Sequence, residues 1–398
     1  MAEQYSDHEW AIINDLLESN PALFGLPERR EKSIIMASWN IRKFGKEDGH
    51  SEHARKFYAR FAQNCDFIAV QEIMTDMFSM RDLCRRMNEL VPDADYKILA
   101  SDVTGKAPGK RGNAERLGFI YDRRKIEHTE FASDISFDRS EVIKNVNKSI
   151  AVLRDKVIEE TSGDGIMAQA KSVFGKLLDF TGFESAKMKD FVDFIRAPHF
   201  ATFKVLGDEA SYDISIVNAH ILYGNAKARE KEFLAMLEWV FLVAGRNADI
   251  AMMMGDFNLD FGKDNQFRRN AIKAFLKEVN VTRSQQIQTN FPFMDAHLEF
   301  GEFKTNSREK ETFDHIAYIH QDPRLPLDIH NQFAGQAGPD NYDYGMFNFV
   351  KLIRQAGLIA QDENSKEDFT KFEHDVSDHM PIWVRMPVPH KGQRELKS

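Results

Sequence analysis

Short apolar runs that end in polar residues recur along the chain, and such runs are typical of buried strands. One run begins at Ile250 and continues through four further apolar residues to Gly255, Asp256 and Asn258. Because residues i and i+2 share a face of a strand, both oxygen-bearing side chains are expected to face one bound cation or water. The alternative is an ordinary turn after a strand, since Gly, Asp and Asn are all turn formers.

Five other apolar runs carry polar groups of the same kinds at one end. The groups are, in chain order, Asn40, Gln71 with Glu72, Asn218 with His220, Asp314 with His315, and Ser377 with Asp378 and His379. Strand ends that meet at one edge of a sheet would gather these groups into a polar cluster. Oxygen ligands for a hard cation, beside histidines that move protons, favour metal-assisted attack on a phosphate ester. Taken singly, each group could also be a solvated turn or a satisfied surface histidine.

Helical periodicity predicts helices at 6–18, 50–64, 76–91 and 226–244, which alternate with the strand-like runs. This order indicates an α/β fold in which helices cover two packed sheets. The candidate residues extend from Asn40 to His379, so any cut between them would divide the site. We therefore predict an N-terminal helical extension at 1–30 and a single catalytic domain at 31–390.

Two stretches are predicted to be insertions in this domain. Residues 132–194 carry apolar side chains at helical spacing, then a glycine-rich break and a second helical run. Residues 323–373 begin with Pro and Gly turns, continue through an aromatic helix-like piece and end in a charged loop. We expect the first insertion to form a helical cap or a surface for a protein partner beside the site.

The composition of the chain excludes fewer functions than the motifs do. The net charge of −9 argues weakly against a nucleic-acid partner, because phosphate binding is largely electrostatic. Seven cations nevertheless crowd residues 106–125, where they form either a basic rim or solvated loop charges. No apolar stretch is long enough to span a bilayer, and the N-terminus lacks the pattern of a signal peptide. With only Cys65 and Cys84, the chain is expected to be cytoplasmic.

The ordered set of motifs resembles the signature of the endonuclease/exonuclease/phosphatase superfamily over about residues 33–386. The local sequences at 38–45 and 253–258 are most similar to its deoxyribonuclease I branch. The resemblance implies a four-layer α/β sandwich of two packed mixed β-sheets flanked by helices. It also implies hydrolysis of phosphodiester bonds with Mg²⁺, or Mn²⁺, as the cofactor.

The resemblance also guides which oxygen-bearing residues take which role. Glu72 is the expected direct metal ligand, with Asn40 and Asp378 alongside it, because Mg²⁺ prefers oxygen and few protein ligands. Asp256 and Asn258 are expected to align the attacking water, and Asp256 is a possible further metal contact.

Two histidines are expected to move the protons of the reaction. By the resemblance, Asp314 orients His379 and Glu115 supports His220, while Arg196 matches an arginine that contacts the substrate phosphate. The sequence leaves open which imidazole serves the nucleophile and which serves the leaving oxygen.

These expectations favour a Mg²⁺-dependent endonuclease whose partner is a nucleic acid, most simply DNA. At the two positions where the deoxyribonuclease reads the minor groove, this chain has Met74 and Asn113, so the resemblance covers the hydrolytic centre but not duplex docking. A phosphatase or phospholipase-type enzyme acting on inositol lipids or sphingomyelin is the alternative. A non-catalytic binding module would be expected to have lost at least one acid or histidine.

Overall fold

The computed structural model describes most of the sandwich predicted from the motifs. The described residues are 4–47, 49–104, 114–135, 196–208, 210–221, 248–261, 288–295, 303–320, 330–331, 343–359 and 366–389, with separate positions between 229 and 240 and residue 270.

The described part of the chain contains thirteen strands and six α-helices that can be assigned from end to end. The strands are β1 Ser33–Phe44, β2 Phe67–Met74, β3 Tyr96–Ala100, β4 Glu115–Asp122, β5 Ile126–Asp134, β6 His199–Leu206, β7 Ser211–His220, β8 Ile250–Asp256, β9 Gln288–Asn290, β10 Asp314–His320, β11 His330–Asn331, β12 Asp343–Met346 and β13 Ile382–Pro387. The helices are α1 Asp7–Ser19, α2 Glu52–Ala62, α3 Phe78–Leu90, α4 Pro292–Asp295, α5 Phe349–Gln355 and α6 Lys366–Asp375.

The strands form two mixed sheets. The first has the order β11-β12-β13-β1-β2-β4-β3, and the second has the order β5-β6-β7-β8-β10-β9. β1 is parallel to β2, and β7 is parallel to β8, whereas β4, β6, β10 and β13 run antiparallel to these strands. β1 and β2 pack across the interface against β7 and β8.

Alternation along β8 shows why the chain forms layers. Met252 and Met254 belong to the core cluster that includes residues of both sheets, whereas Ala251 and Met253 belong to a second cluster. That second cluster also contains Phe233, Met236 and Leu237, which are helical residues of the stretch 229–240. Because successive strand residues point to opposite faces, one strand contributes to both apolar layers. The predicted α/β sandwich of two packed mixed sheets flanked by helices is confirmed.

The predicted insertions are only partly within the described residues. In the stretch 132–194, β5 continues to Asp134, and the remainder beyond residue 135 lies outside the described residues. The expected cap or partner surface stays a prediction for that reason. In the stretch 323–373, β11 and β12 extend the first sheet, and α5 forms the aromatic helix. The charged loop expected at the end of this stretch is wrong from residue 366 onward, where α6 begins. No helix in the described ranges is both long and apolar enough to cross a membrane.

The topology brings the motif residues to one end of the sandwich. The parallel strands β1, β2, β7 and β8 finish at this end, and their antiparallel neighbours β4, β6, β10 and β13 begin there. His220 at the end of β7 is in register with Asp256 at the end of β8, and Asp314 at the start of β10 faces Asp256.

Candidate active site

A pocket of about 390 Å³ opens at this end of the sandwich. It is lined by eight residues that the sequence singled out: Asn40, Glu72, Arg196, His220, Asp256, Asn258, Asp378 and His379. The other two candidates, Glu115 and Asp314, are fully buried and contact the two histidines. The structure therefore brings all ten candidates together, although they are separated by up to 339 positions in sequence, from Asn40 to His379.

Asp256 occupies the centre of the site and is held by two amides. Its Oδ2 atom accepts hydrogen bonds from Asn40 Nδ2 at 3.0 Å and Asn258 Nδ2 at 3.1 Å, and its Oδ1 accepts from the Asn258 backbone N–H at 2.8 Å. The preceding Gly255 has φ +144°, and a Cβ there would lie 1.9 Å from the carbonyl oxygen of Ala219. Only glycine fits this close approach, which sets the end of β8 against β7.

The first histidine pair is His379 with Asp314. His379 Nδ1 lies 2.8 Å from Asp314 Oδ2, and its Nε2 lies 3.6 Å from Asp256 Oδ2. Burial alone would lower the pKa of His379, but the charges of Asp314, Asp256 and Asp378 outweigh it and raise the pKa well above its ordinary value. A carboxylate on Nδ1 fixes the orientation of the ring and leaves Nε2 toward the pocket.

The second pair is His220 with Glu115, and Arg196 contacts both. His220 Nδ1 lies 3.2 Å from Glu115 Oε1, and His220 Nε2 lies 3.4 Å from Asp256 Oδ2. Arg196 forms a short ion pair with Glu115, and its Nη1 lies 2.6 Å from His220 Nε2. Burial lowers the pKa of His220, whereas Glu115 and Asp256 raise it and Arg196 opposes them, and the pKa is raised overall.

Glu72 stands at a strained point of the backbone. Its φ is +57°, a left-handed value, at a register shift that interrupts the pairing of β2 with both β1 and β4. A left-handed residue other than glycine costs of order 1–3 kcal/mol and persists where the surroundings impose it. One carboxylate oxygen accepts from the Lys43 backbone N–H at 2.9 Å, which holds the side chain at the pocket.

The oxygens at the pocket fit a hard cation. Asn40 Oδ1 and Asp378 Oδ1 are buried, and no hydrogen bond to either is found among the described residues. Buried acceptors are costly without a partner, and carboxylate and amide oxygens are the ligands that Mg²⁺ and Mn²⁺ take. Two other groups have potential ligand atoms within 4.8 Å of one another: Glu72 with Glu115 and His220, and Asp256 with Asp314 and His379.

None of the described cations of the basic stretch at 106–125 lines this pocket. β4 begins at the pocket with Glu115 and ends at Asp122, so the following cations lie at the opposite end of the strand. There Arg123 pairs with Asp95, and Lys125 Nζ lies 2.9 Å from Asp66. Residues 105–113, including Asn113, lie outside the described residues.

The pocket also contains residues that were not candidates. They are Asn306, Ser307, Arg308, Phe313 and Glu373. The first three belong to a turn-like polar loop, and Glu373 lies on α6. Phe313 immediately precedes Asp314. Nothing local in the sequence separates these residues from ordinary surface groups.

Comparison with known proteins gives structural matches only. No family model matches the sequence, and no curated protein matches it. A functionally unknown conserved protein from Enterococcus faecalis V583 is 12% identical with a TM-score of 0.43, covering 89% of this chain and 100% of that one. The human Nocturnin catalytic domain is 10% identical with a TM-score of 0.45, covering 90% and 96%. An endonuclease/exonuclease/phosphatase family protein from Leptotrichia buccalis C-1013-b is 14% identical with a TM-score of 0.44, covering 90% and 100%.

These matches are similarities of fold alone. The observed sandwich and the order of motif residues around its pocket agree with the resemblance to the endonuclease/exonuclease/phosphatase superfamily that the sequence indicates. The chain is similar to that superfamily; the finer resemblance to deoxyribonuclease I stays a prediction.

Proposed function

We propose that the protein is a divalent-metal-dependent phosphodiesterase that cleaves nucleic acid, acting on DNA as an endonuclease. One observation carries the proposal: two buried histidine–carboxylate pairs present their Nε2 atoms 3.4 and 3.6 Å from the same Asp256 oxygen. Two oriented imidazoles beside one carboxylate supply a proton acceptor and a proton donor for a single displacement. A binding module would not need both pairs.

Each candidate residue has its own role in the proposed reaction. Asp256, positioned by Asn40 and Asn258, accepts a hydrogen bond from the attacking water and aligns it. His220 and His379 exchange protons with that water and with the departing oxygen. Arg196 contacts the phosphate that undergoes attack, in the manner of a guanidinium beside an anion.

Glu72, Asn40 and Asp378 are the residues that would hold the cation, because the other two groups contain histidines already paired with carboxylates. When bound, Mg²⁺ or Mn²⁺ would supply positive charge that stabilises the phosphate during attack.

The test is a panel of substrates incubated with purified protein and Mg²⁺. The panel contains supercoiled plasmid, linear duplex DNA, single-stranded DNA, RNA, sphingomyelin and inositol phosphates. We expect cleavage of nucleic acid at internal bonds, loss of cleavage in excess chelator, and recovery with Mg²⁺ or Mn²⁺. Undiminished activity in chelator would contradict the metal assignment. Release of inorganic phosphate or choline phosphate with no cut strand would favour the phosphatase or phospholipase alternative.

A further inference from the structure

A loop at 303–311 forms one wall of the pocket and is fastened to the segment that carries His379. The Ser307 backbone N–H donates to the Asp378 carbonyl at 2.8 Å, and the Met380 N–H donates to the Thr305 carbonyl at 2.7 Å. Asn306 and His379 form an isolated antiparallel bridge. The backbone of the loop is therefore held against the segment that carries Asp378 and His379.

Arg308 is the second guanidinium of the pocket, and Glu373 positions it. Arg308 Nε lies 3.3 Å from Glu373 Oε1, which also accepts from Ser307 Oγ at 2.7 Å. The side chain of Arg308 is 39% exposed, whereas that of Arg196 is 8% exposed. Arg196 lies against the His220 pair, so the pocket has one buried and one solvent-accessible guanidinium.

An aromatic ring lies on the same side of the pocket. Phe313 lines it, is partly exposed, and has its ring centroid 6.3 Å from that of His379. Aromatic side chains of proteins that bind single-stranded nucleic acid stack on the bases, and every base has a face that can stack. A lipid phosphodiester offers no such planar group.

We propose that Arg308 binds the phosphate adjacent to the scissile one on a nucleic-acid strand, with Phe313 stacking on a neighbouring base. This inference rests on the proposed phosphodiesterase function and names its substrate class. A planar guanidinium matches two phosphate oxygens at once, and its position on a fixed loop reduces the entropy lost on binding. A substrate with a single phosphodiester does not engage Arg308.

The experiment measures hydrolysis of two substrates by the Arg308→Gln variant and by a matched control variant. Bis(p-nitrophenyl) phosphate has one diester and no neighbouring phosphate, whereas a single-stranded DNA oligonucleotide has both. The control is Lys310→Gln, which removes one positive charge from an exposed residue of the same loop that does not line the pocket.

Arg308→Gln should lower kcat/KM on the oligonucleotide by about tenfold to a hundredfold. Hydrolysis of bis(p-nitrophenyl) phosphate should stay within about twofold of the wild-type rate. A side chain that contacts only the adjacent phosphate contributes nothing to a substrate that lacks this phosphate. The slope of log kcat/KM against log salt should become shallower by about 0.7 for the oligonucleotide. Lys310→Gln should change neither substrate selectively.

Two further variants guard against an effect on folding. Arg308→Lys keeps a cation beside Glu373 and should retain the salt dependence while losing part of kcat/KM. Phe313→Leu keeps an apolar side chain without a ring, and should weaken cleavage of the oligonucleotide more than cleavage of the same oligonucleotide with abasic positions beside the cut bond.

Equal losses on both substrates in Arg308→Gln would overturn the inference, because they would place this side chain at the scissile phosphate or in the fold. Wild-type hydrolysis of bis(p-nitrophenyl) phosphate, sphingomyelin or an inositol phosphate without cleavage of DNA or RNA would also overturn it, yet would leave a phosphoesterase. No turnover of any substrate would contradict the proposed function itself, and this inference with it.

Discussion

Gln71 and Asn218 join the two sheets directly beneath the pocket. Gln71 Nε2 donates to Asn218 Oδ1 at 2.7 Å, and both side chains are fully buried. Asn218 Nδ2 in turn donates to the carbonyl oxygens of Val70 and Gly118, at 3.1 and 3.0 Å. Gln71 immediately precedes Glu72, and Asn218 lies two residues before His220, so this bridge lies within two residues of a candidate residue on each sheet.

Removing either side of this bridge should destabilise the protein. Gln71→Met and Asn218→Leu each leave buried polar atoms without a partner, at a cost of about 1–3 kcal/mol each. Asn218→Leu should cost more, because it also leaves the carbonyls of Val70 and Gly118 without a donor. In the double variant the loss should be smaller than the sum of the single losses by about 1 kcal/mol. Each single variant leaves the other amide group without its hydrogen-bond partner, whereas the double variant removes both amide groups. Urea unfolding measures all three, and additive losses would show that the bridge has no energetic coupling.

Substitution of the histidines should separate catalysis from stability. His220→Ala and His379→Ala should each reduce turnover by about 10²–10⁴-fold, the usual contribution of a positioned acid or base. His379→Ala leaves Asp314 buried near Asp256 without its cation, so it should also lower the free energy of unfolding. His220→Ala should lower it less, because Glu115 keeps its ion pair with Arg196.

The control for the histidine prediction is a second substitution. Adding Asp314→Asn to His379→Ala removes the unpaired buried charge and should restore most of the lost stability without restoring turnover. Parallel cleavage assays and thermal unfolding give the comparison. Recovery of activity along with stability in the double variant would mean that His379 acts only as a structural partner.

Replacing Glu72 with glycine should relieve backbone strain and abolish turnover. Glu72→Gly relieves a left-handed conformation that costs a non-glycine residue of order 1–3 kcal/mol, while glycine loses roughly 0.5–1 kcal/mol more in chain entropy on folding. The free energy of unfolding should therefore stay level or rise. Turnover should be lost, because the carboxylate that we propose as a metal ligand is gone. Glu72→Gln is the matched control: it keeps the strained backbone and a similar shape, and should need more Mn²⁺ for half-maximal activity. Wild-type Mn²⁺ dependence in Glu72→Gln would remove Glu72 from the metal site.

His315 should make stability depend on pH. Burial lowers its pKa from 6.5 to about 4, and its ring packs against Phe257 and Phe261. Because the folded-state pKa lies below the unfolded value, protons favour the unfolded chain. The stabilising contribution is present above pH 6.5 and is lost as the pH falls from 6.5 towards 4, by about 3 kcal/mol in all.

His315→Phe provides the comparison for this pH effect. The variant loses the contact between His315 Nε2 and the Thr312 carbonyl, at 2.9 Å, and should be less stable than the wild type at pH 7. The difference should shrink or reverse near pH 4, where the wild type pays for protonation. Urea unfolding at several pH values measures it, and a constant difference between the two proteins would contradict the expected titration.

The sequence by itself determined the six strands that carry the motif residues, three of the main helices and the residues of the motif. Periodicity placed helices at 6–18, 50–64 and 76–91, and the structure has them at Asp7–Ser19, Glu52–Ala62 and Phe78–Leu90. These features are local, because burial of one face repeats within a few residues along the chain. The order of acids, amides and histidines at strand ends likewise required no knowledge of the packing.

Only the tertiary structure decided how those residues meet. The bridge between Gln71 and Asn218, the contact of Arg196 with both Glu115 and His220, and the placing of Arg308 by Glu373 all join distant segments. Such contacts depend on strand register and on the packing of one sheet over the other, which no local pattern encodes. The distribution of cations shows the same limit, since Arg123 and Lys125 follow Glu115 closely in sequence but lie at the far end of β4.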